Sequence, residues 1–339
     1  MAQTAATIVT FGSTGEATWG STGNPTKKFH GLTAASLKID QSVEVVNAVG
    51  WYGPSGIANI QADSGSGSLE FVASYEDMPA ILNNLFTYTS ASTGNSTGGT
   101  TAPYNYTWTA PVSSTQIVAT YPIEISPSTA YGYKLRGGIM SNLTLRGEAG
   151  GYWTGSVDLL GKYVEALSVR TTAGDVDRTV NPIRVANTSL YLDAHSTGTI
   201  GTTLTSGRLI SFEFGYNPNR HTKLFAGSIN PGGWGDGRAE TSLKMVWGFQ
   251  SSAKADIDEA LGSTGAAVKR LIRLQATQGS SATLKTFQVN YAGIKVDGET
   301  LFSDRDGNVT VETNWQGMYS TAISNYATFY VENGSSSTT

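Results

Sequence analysis

The chain has 339 residues, a formal net charge of −4, 40 glycines, no cysteine and only 14% charged side chains. The missing cysteines exclude disulfides and thiolate metal sites, and an apolar content of 39% excludes a disordered chain. No apolar run approaches the roughly 18 residues of a membrane span, and the densest basic groups, Lys27–Lys28 and Lys269, Arg270 and Arg273, fall short of the face that grips nucleic acid.

The opening MAQTAATIVTFGSTG has neither a basic n-region nor an apolar h-region, so no signal peptide is expected. ATIVTFGSTG (6–15) reads as a strand and a Ser/Thr/Gly loop. SLKIDQSVEVVNAVG (36–50) reads as another strand, followed by the Gly-rich, aromatic-bearing loop WYGPSGIANIQADSGSG (51–67). In SLEFVASYEDMPAILNNLF (68–86) the period changes. Leu69, Phe71 and Ala73 alternate as on a strand, then Met78, Ile81, Leu82, Leu85 and Phe86 form the stripe of a short helix. Pro79 fits the first turn of that helix, where its missing N–H costs nothing. TYTSASTGNSTGGTTAPYNYT (87–107) reads as a polar loop that projects from the fold, as does the segment 1–30. QIVATYPIEI (116–125) is a strand, and residues 133–162 hold two strands around a turn.

After the patternless junction at 169–182 the same order returns. NTSLYLDAHSTG (187–198), SFEFGYNPNRHTKLFAG (211–227) and the Gly-rich loop SINPGGWGDGRAE (228–240) match the first strands and loop. SLKMVWGFQSSAKADIDEALG (242–262) repeats the strand and helix, with Ala253, Ile257, Ala260 and Leu261 on one face and Ser252 as N-cap. VKRLIRLQAT (268–277) and residues 287–317 complete the order, and only the stretch 87–107 has no counterpart. The expected organisation is a first module at 1–170, a linker at 171–183, a second module at 184–332 and a mobile tail at 333–339.

The residues that could carry chemistry do not form a constellation. His30, His195 and His221 lie far apart in sequence, and none has a second ligand at metal spacing. SDRDGN (303–308) has the alternating acids of a calcium loop, but position 12 is Trp315 and the flanks read as strands, so a tight β-turn is expected. The GSTG runs at 12–15, 20–23 and 262–265 lack the Lys-Ser/Thr of a phosphate loop. Glu70, Glu76 and Asp77 could suggest paired carboxylates, yet Lys244 stands in Glu70's place in the second half, and Asp77 suits a helix N-terminus. No catalytic role, cofactor or metal is expected.

Two segments, GSLEFVASYEDMPAILNNLF and YKLRGGIMSNLTLRGEAGGYWTGSVDLLGK, resemble the strand–helix and closing hairpin of the major tail (tail tube) proteins of long-tailed, non-contractile bacteriophages. The resemblance covers the first half; the second joins it through the shared order of elements. It implies a mainly β fold of two tandem β-sandwich or barrel modules, each with one short flanking helix. It also implies a structural virion protein that forms trimeric, pseudo-hexameric rings stacked into a tube in the phage tail, assembled in the bacterial host cytoplasm. Its partners would be itself, the tape-measure protein, the tail terminator and the distal tail protein, with phage DNA passing through the lumen without specific binding. Asp40, Glu44, Glu70, Asp158, Glu213 and Glu312 are expected on the lumen wall, where a polar, weakly acidic surface lets DNA slide. The loops at 47–67 and 223–240 are expected to stack rings through Trp51, Tyr52, Pro54, Ile57, Ile60, Ile229, Pro231 and Trp234. Two other readings stay open: a carbohydrate-binding or adhesive β-sandwich, and another ring-forming phage part such as a tail terminator. Deleting residues 53–62 is expected to leave a soluble, folded protein that makes no tubes in electron micrographs; tubes at the normal rate would refute the stacking role.

Overall fold

A computed structural model describes residues 8–12, 15–16, 18–21, 23–46, 57–93, 104–112, 118–127, 131–170, 179–205, 209–248, 267–280, 283–296, 300–305 and 308–333. The first half contributes β1 (Ile8–Phe11), β2 (Lys27–Lys28), β3 (Leu32–Val46), β4 (Ile57–Val72), α1 (Met78–Leu85), β5 (Thr87–Thr93), β6 (Tyr104–Thr109), β7 (Tyr121–Ser126), β8 (Gly132–Glu148), β9 (Thr154–Gly161) and β10 (Tyr163–Leu167). The second contributes β11 (Thr188–Ala194), β12 (Leu204–Thr205), β13 (Leu209–Asn217), β14 (His221–Lys223), β15 (Gly233–Gly235), β16 (Glu240–Gly248), β17 (Lys269–Gln278), β18 (Lys285–Lys295), β19 (Thr300–Arg305), β20 (Asn308–Gly317) and β21 (Ala327–Asn333). The fold is mainly β, built from large antiparallel sheets.

One wide sheet crosses the whole chain in the order β3–β4–β9–β8–β13–β16–β20–β19. A second layer is split by halves: β2–β1–β7–β8–β10 in the first, β12–β11–β17–β18–β21–β6–β5 in the second. β8 belongs to both layers. Its residues 132–138 pair in the second layer, and its residues 139–148 pair in the wide sheet. The strand turns between layers at Gly137, whose φ of +66° disfavours any side chain. A Cβ there would lie 2.5 Å from Trp19 Nε1, and that indole instead donates to the Gly137 carbonyl at 2.8 Å.

Alternation builds the core. Leu69 and Phe71, Leu143 and Leu145, Phe212 and Phe214, and Leu243 and Met245 all point inward between the layers and are buried. The aromatic residues join the halves. Trp153 lies 4.4 Å from Phe212 and 5.3 Å from Phe287, and Phe86 lies 4.4 Å from both Tyr216 and Phe329, centroid to centroid. Each such ring, removed from water, contributes about 1.5–3 kcal/mol by its area.

Helix α1 forms where the change of period places it, with Ile81, Leu82 and Leu85 fully buried. Its C-terminal carbonyls have no partner within the helix, and Arg220 of the second half supplies one. The Arg220 guanidinium donates to the carbonyls of Asn84 at 2.8 Å, Leu85 at 3.0 Å and Met140, and its Nε meets Asp236 at 2.9 Å. The Trp234 ring lies 5.4 Å away against the same cation. Asn84 also knits the helix to β8, donating to the Gly138 carbonyl at 3.1 Å and accepting from the Met140 amide.

Two expectations change. The described parts of 87–107 are strands and not loop: β5 pairs with β6, and β6 pairs with β21 from Thr328↔Thr109 to Asn333↔Tyr104. The pair has an edge to join in the second half, which outweighs its polar composition. The described part of 8–30 does not project either, since β1 pairs with both β2 and β7. The acids near α1 diverge. Glu76 holds Lys285 and Asn181, whereas Asp77 accepts from Ser74 Oγ at 3.0 Å and from the Gly31 amide at 3.3 Å. Asp77 stands at the N-terminus of α1, as expected, and its carboxylate also pins the turn before β3. The helix expected at 252–262 lies outside the described residues. Of the expected linker, 179–183 is described: Ile183 is fully buried and its amide donates to Ala73 O at 2.9 Å.

Arg220→Ala leaves Asp236 and three buried carbonyls without their cation. It is expected to cost about 3–5 kcal/mol in chemical denaturation, with Arg220→Lys recovering only part because it lacks the planar fork.

Candidate functional site

The wide sheet has two unlike faces. Opposite the core, the same alternation displays a polar surface that no element of the described chain covers. Cross-strand registers define it. Ser36 pairs with Ser68 and Ser68 with Asp158; Arg146 pairs with Glu213 and Glu213 with Lys244. The strands cup an open trough of about 710 Å³, lined in part by Asn142, Glu213, Lys244, Glu312 and Gln316.

Five of the six acids expected on a lumen wall share this face: Asp40, Glu70, Asp158, Glu213 and Glu312. Glu44 lies farther along β3, beyond a β-bulge at Ser42/Val43, where Gln61 donates to it at 2.8 Å. The acids do not stand alone. Arg146 grips Glu213 with two nitrogens, at 3.0 and 3.2 Å, across the β8–β13 pairing. Lys244 meets Glu312 at 2.7 Å, Lys38 meets Asp40 at 2.5 Å and Asn142 donates to Asp158 at 2.6 Å. Partial burial works to raise the Asp40 carboxyl, but hydrogen bonds from Lys38 and Ser66 and the Lys38 charge outweigh it and hold it below the usual value. With Glu148 and Glu240 on the same strands, carboxylates outnumber the cations Lys38, Arg146 and Lys244. Both signs therefore stay close together, and the balance is mildly negative.

The second surface is the β3–β4 arm. Past Ser42 and Ala62 the two strands pair only with each other among the described residues. Val43 faces Ile60 and Val45 faces Ala58, which gives the arm an exposed apolar side. Its base is held by the second half: the Asp63 amide donates to Ile229 O at 2.8 Å, and Asn230 Nδ2 donates to Asp63 O at 3.0 Å. The two segments expected to stack rings are thus brought together, with Leu224, Phe225 and Ile229 exposed beside the arm. Trp51, Tyr52 and Pro54 lie outside the described residues, as does the side chain of Ile57. Ile60 and Ile229 are exposed; Pro231 is buried, and Trp234 is half-buried against Arg220.

The sequence reading missed Arg146 and Arg220, and it set Lys244 in Glu70's place, whereas the registers put Val246 there and Lys244 opposite Glu213. Alternation marks Arg146 and Lys244 as facing away from the core, but only the strand pairing sets them beside acids. Neither a scan against protein-family models nor a search of curated proteins finds a match to this chain. Among the described residues no group of histidine or acidic side chains is arranged to hold a metal ion, and no helix is long and apolar enough to cross a membrane.

Because the Arg146–Glu213 pair is exposed to water, Glu213→Ala is expected to cost less than about 1 kcal/mol in urea denaturation. A larger loss would mean that the polar face is a structural element and not a free surface.

Proposed function

We propose that this chain is a structural protein that self-assembles into a phage tail tube. Each chain supplies two tandem tube modules, three chains close a pseudo-hexameric ring, and stacked rings enclose a channel for genomic DNA. The observation that carries the reading is the β8–β13 pairing: the sheets of the two halves already join edge to edge, with the polar face left open. Repeating that joint gives a wall of about 24 strands from three chains. At about 4.8 Å between strands and a tilt of about 35–45°, such a wall measures roughly 45–52 Å across between backbones. After side chains are allowed for, duplex DNA of about 20 Å passes without contact along a wall that does not attract it.

The arm and the neighbouring loop 224–230 are the ring-stacking contacts in this reading, since both bring apolar side chains to one place in the fold. The tape-measure protein, tail terminator and distal tail protein are the partners such a tube requires, and the virion tail is its location. No step of chemistry is assigned to the chain.

Negative-stain electron microscopy of the concentrated protein tests the proposal: tubes of uniform width with a channel wider than a duplex are expected, and persistent monomers under all conditions would refute it. The combined substitution of Glu70, Asp158 and Glu312 by lysine is expected to leave tube formation intact. It should make the tubes retain duplex DNA in a salt-dependent manner, measured by co-sedimentation; tubes that still ignore DNA would remove these acids from the lumen.

A further inference from the structure

Strands β3 and β13 hold the same place in their respective halves, and the registers fix the correspondence. Ile139 pairs with Leu160 as Ile294 pairs with Gln316. Three residues back along β9 and β20, Val157 pairs with Leu69 as Thr313 pairs with Met245. Leu69 then pairs with Ala35 as Met245 pairs with Phe212. Leu37 and Ile39 therefore stand where Phe214 and Tyr216 stand in the second half. Their surroundings differ sharply: Phe214 is 0% and Tyr216 1% exposed, whereas Ile39 is 51% exposed.

The cause is what lies beside β13. Its outer edge is paired by residues 143–148 of β8, and Phe86, at the end of α1, covers its apolar side at Tyr216. Among the described residues β3 has neither neighbour: it pairs only with β4, over nearly its whole length. At the far end of the same sheet, β19 pairs only with β20 among the described residues. Ser303 pairs with Thr310 there as Arg146 pairs with Thr154, so β19 holds the place of the end of β8 that meets β13. The chain thus carries one filled joint and the two separate halves of a second.

We infer that β3 is the docking edge for β19 of a second copy of this chain. The copy pairs antiparallel in the register of the internal joint and covers Ile39 as the first half covers Tyr216. Since Arg146 faces Glu213 within the chain, Ser303 of one copy faces Ser36 of the next. The contact is head-to-tail: each copy offers one edge and accepts at the other, so the series closes into a ring when the rotation per joint allows. The inference rests on the two-module reading above. It goes further in assigning the two edges and their register, and it marks the new joint as chemically unlike the old one. Two serines replace the Arg146–Glu213 ion pair, so backbone pairing and the burial of Ile39 hold the copies together.

A chain without cysteine permits a direct test. Directly opposed residues of an antiparallel pair have Cα atoms about 4.5–5.5 Å apart, within disulfide range. Ser36→Cys and Ser303→Cys are made singly in the full chain, and each is oxidised alone and as an equal mixture under assembly conditions. A two-chain disulfide product in the mixture and in neither variant alone is the expected result. Assemblies that form without that product overturn the assigned joint and leave the tube reading standing; absence of any association at any concentration overturns both. Ile39→Asp supplies a second measure. Its melting temperature should match that of the parent chain because the site is exposed, and its assembly signal should be lost. Assembly equal to the parent's would overturn the inference.

Discussion

An open sheet edge presents a row of unpaired N–H and C=O groups, and a protein with long strands must pair or protect it. In this chain β8 meets that constraint for both halves. It starts in one layer, turns at Gly137 and ends in the wide sheet, where its outer edge takes β13. The rest follows from that pairing. Trp153 reaches the second-half core, Phe86 reaches Tyr216 and Phe329, and Arg220 returns to the end of α1. Apolar contacts dominate the joint by area. The arginine makes it directional, since its fork matches carbonyls that only this helix end offers.

The second link between halves runs through the other layer. The β5–β6 pair leaves α1 and lies along β21, so the first half supplies the second with two strands it does not encode. Asn333 at the end of β21 donates back to Tyr75 O at 2.8 Å, and Lys285 of β18 meets Glu76. The halves are therefore interlocked by contacts of different chemistry: two sheet edges, a helix terminus, and polar contacts at Tyr75 and Glu76. Removing one need not separate them, but each is aligned by the others.

Much of this was legible from alternation. The strand at Leu69 and Phe71, the change of period, and the stripe of Ile81, Leu82 and Leu85 are read directly from the sequence because burial on one face dictates them. The β5–β6 pair was not legible: Ser, Thr and Gly composition signals a loop, and the reason it pairs is β21, more than 200 positions away. Arg220 was illegible too. NPNRHTK has no local pattern, and the carbonyls that select the arginine belong to the other half. Of the surface, alternation told which acids avoid the core. Only the registers told that Glu70, Asp158, Glu213 and Glu312 share one face, or that Arg146 and Lys244 moderate their charge.

In the proposed assembly the two joints form at different times. Within the chain, β8 and β13 belong to one polypeptide, so their pairing is intramolecular and independent of protein concentration. The internal joint therefore forms as part of folding and can recruit groups from both halves, such as Arg220, that are useful only once it is closed. An edge that must wait for another copy has the opposite need. It has to stay soluble as a single chain, and β3 alternates Ser36, Lys38 and Asp40 with the half-buried Leu37 and the exposed Ile39, so charge lies on both sides of Ile39. On that reading, the same strand position carries Phe214 and Tyr216 where the chain itself closes the joint, and Leu37 and Ile39 where closure would depend on concentration.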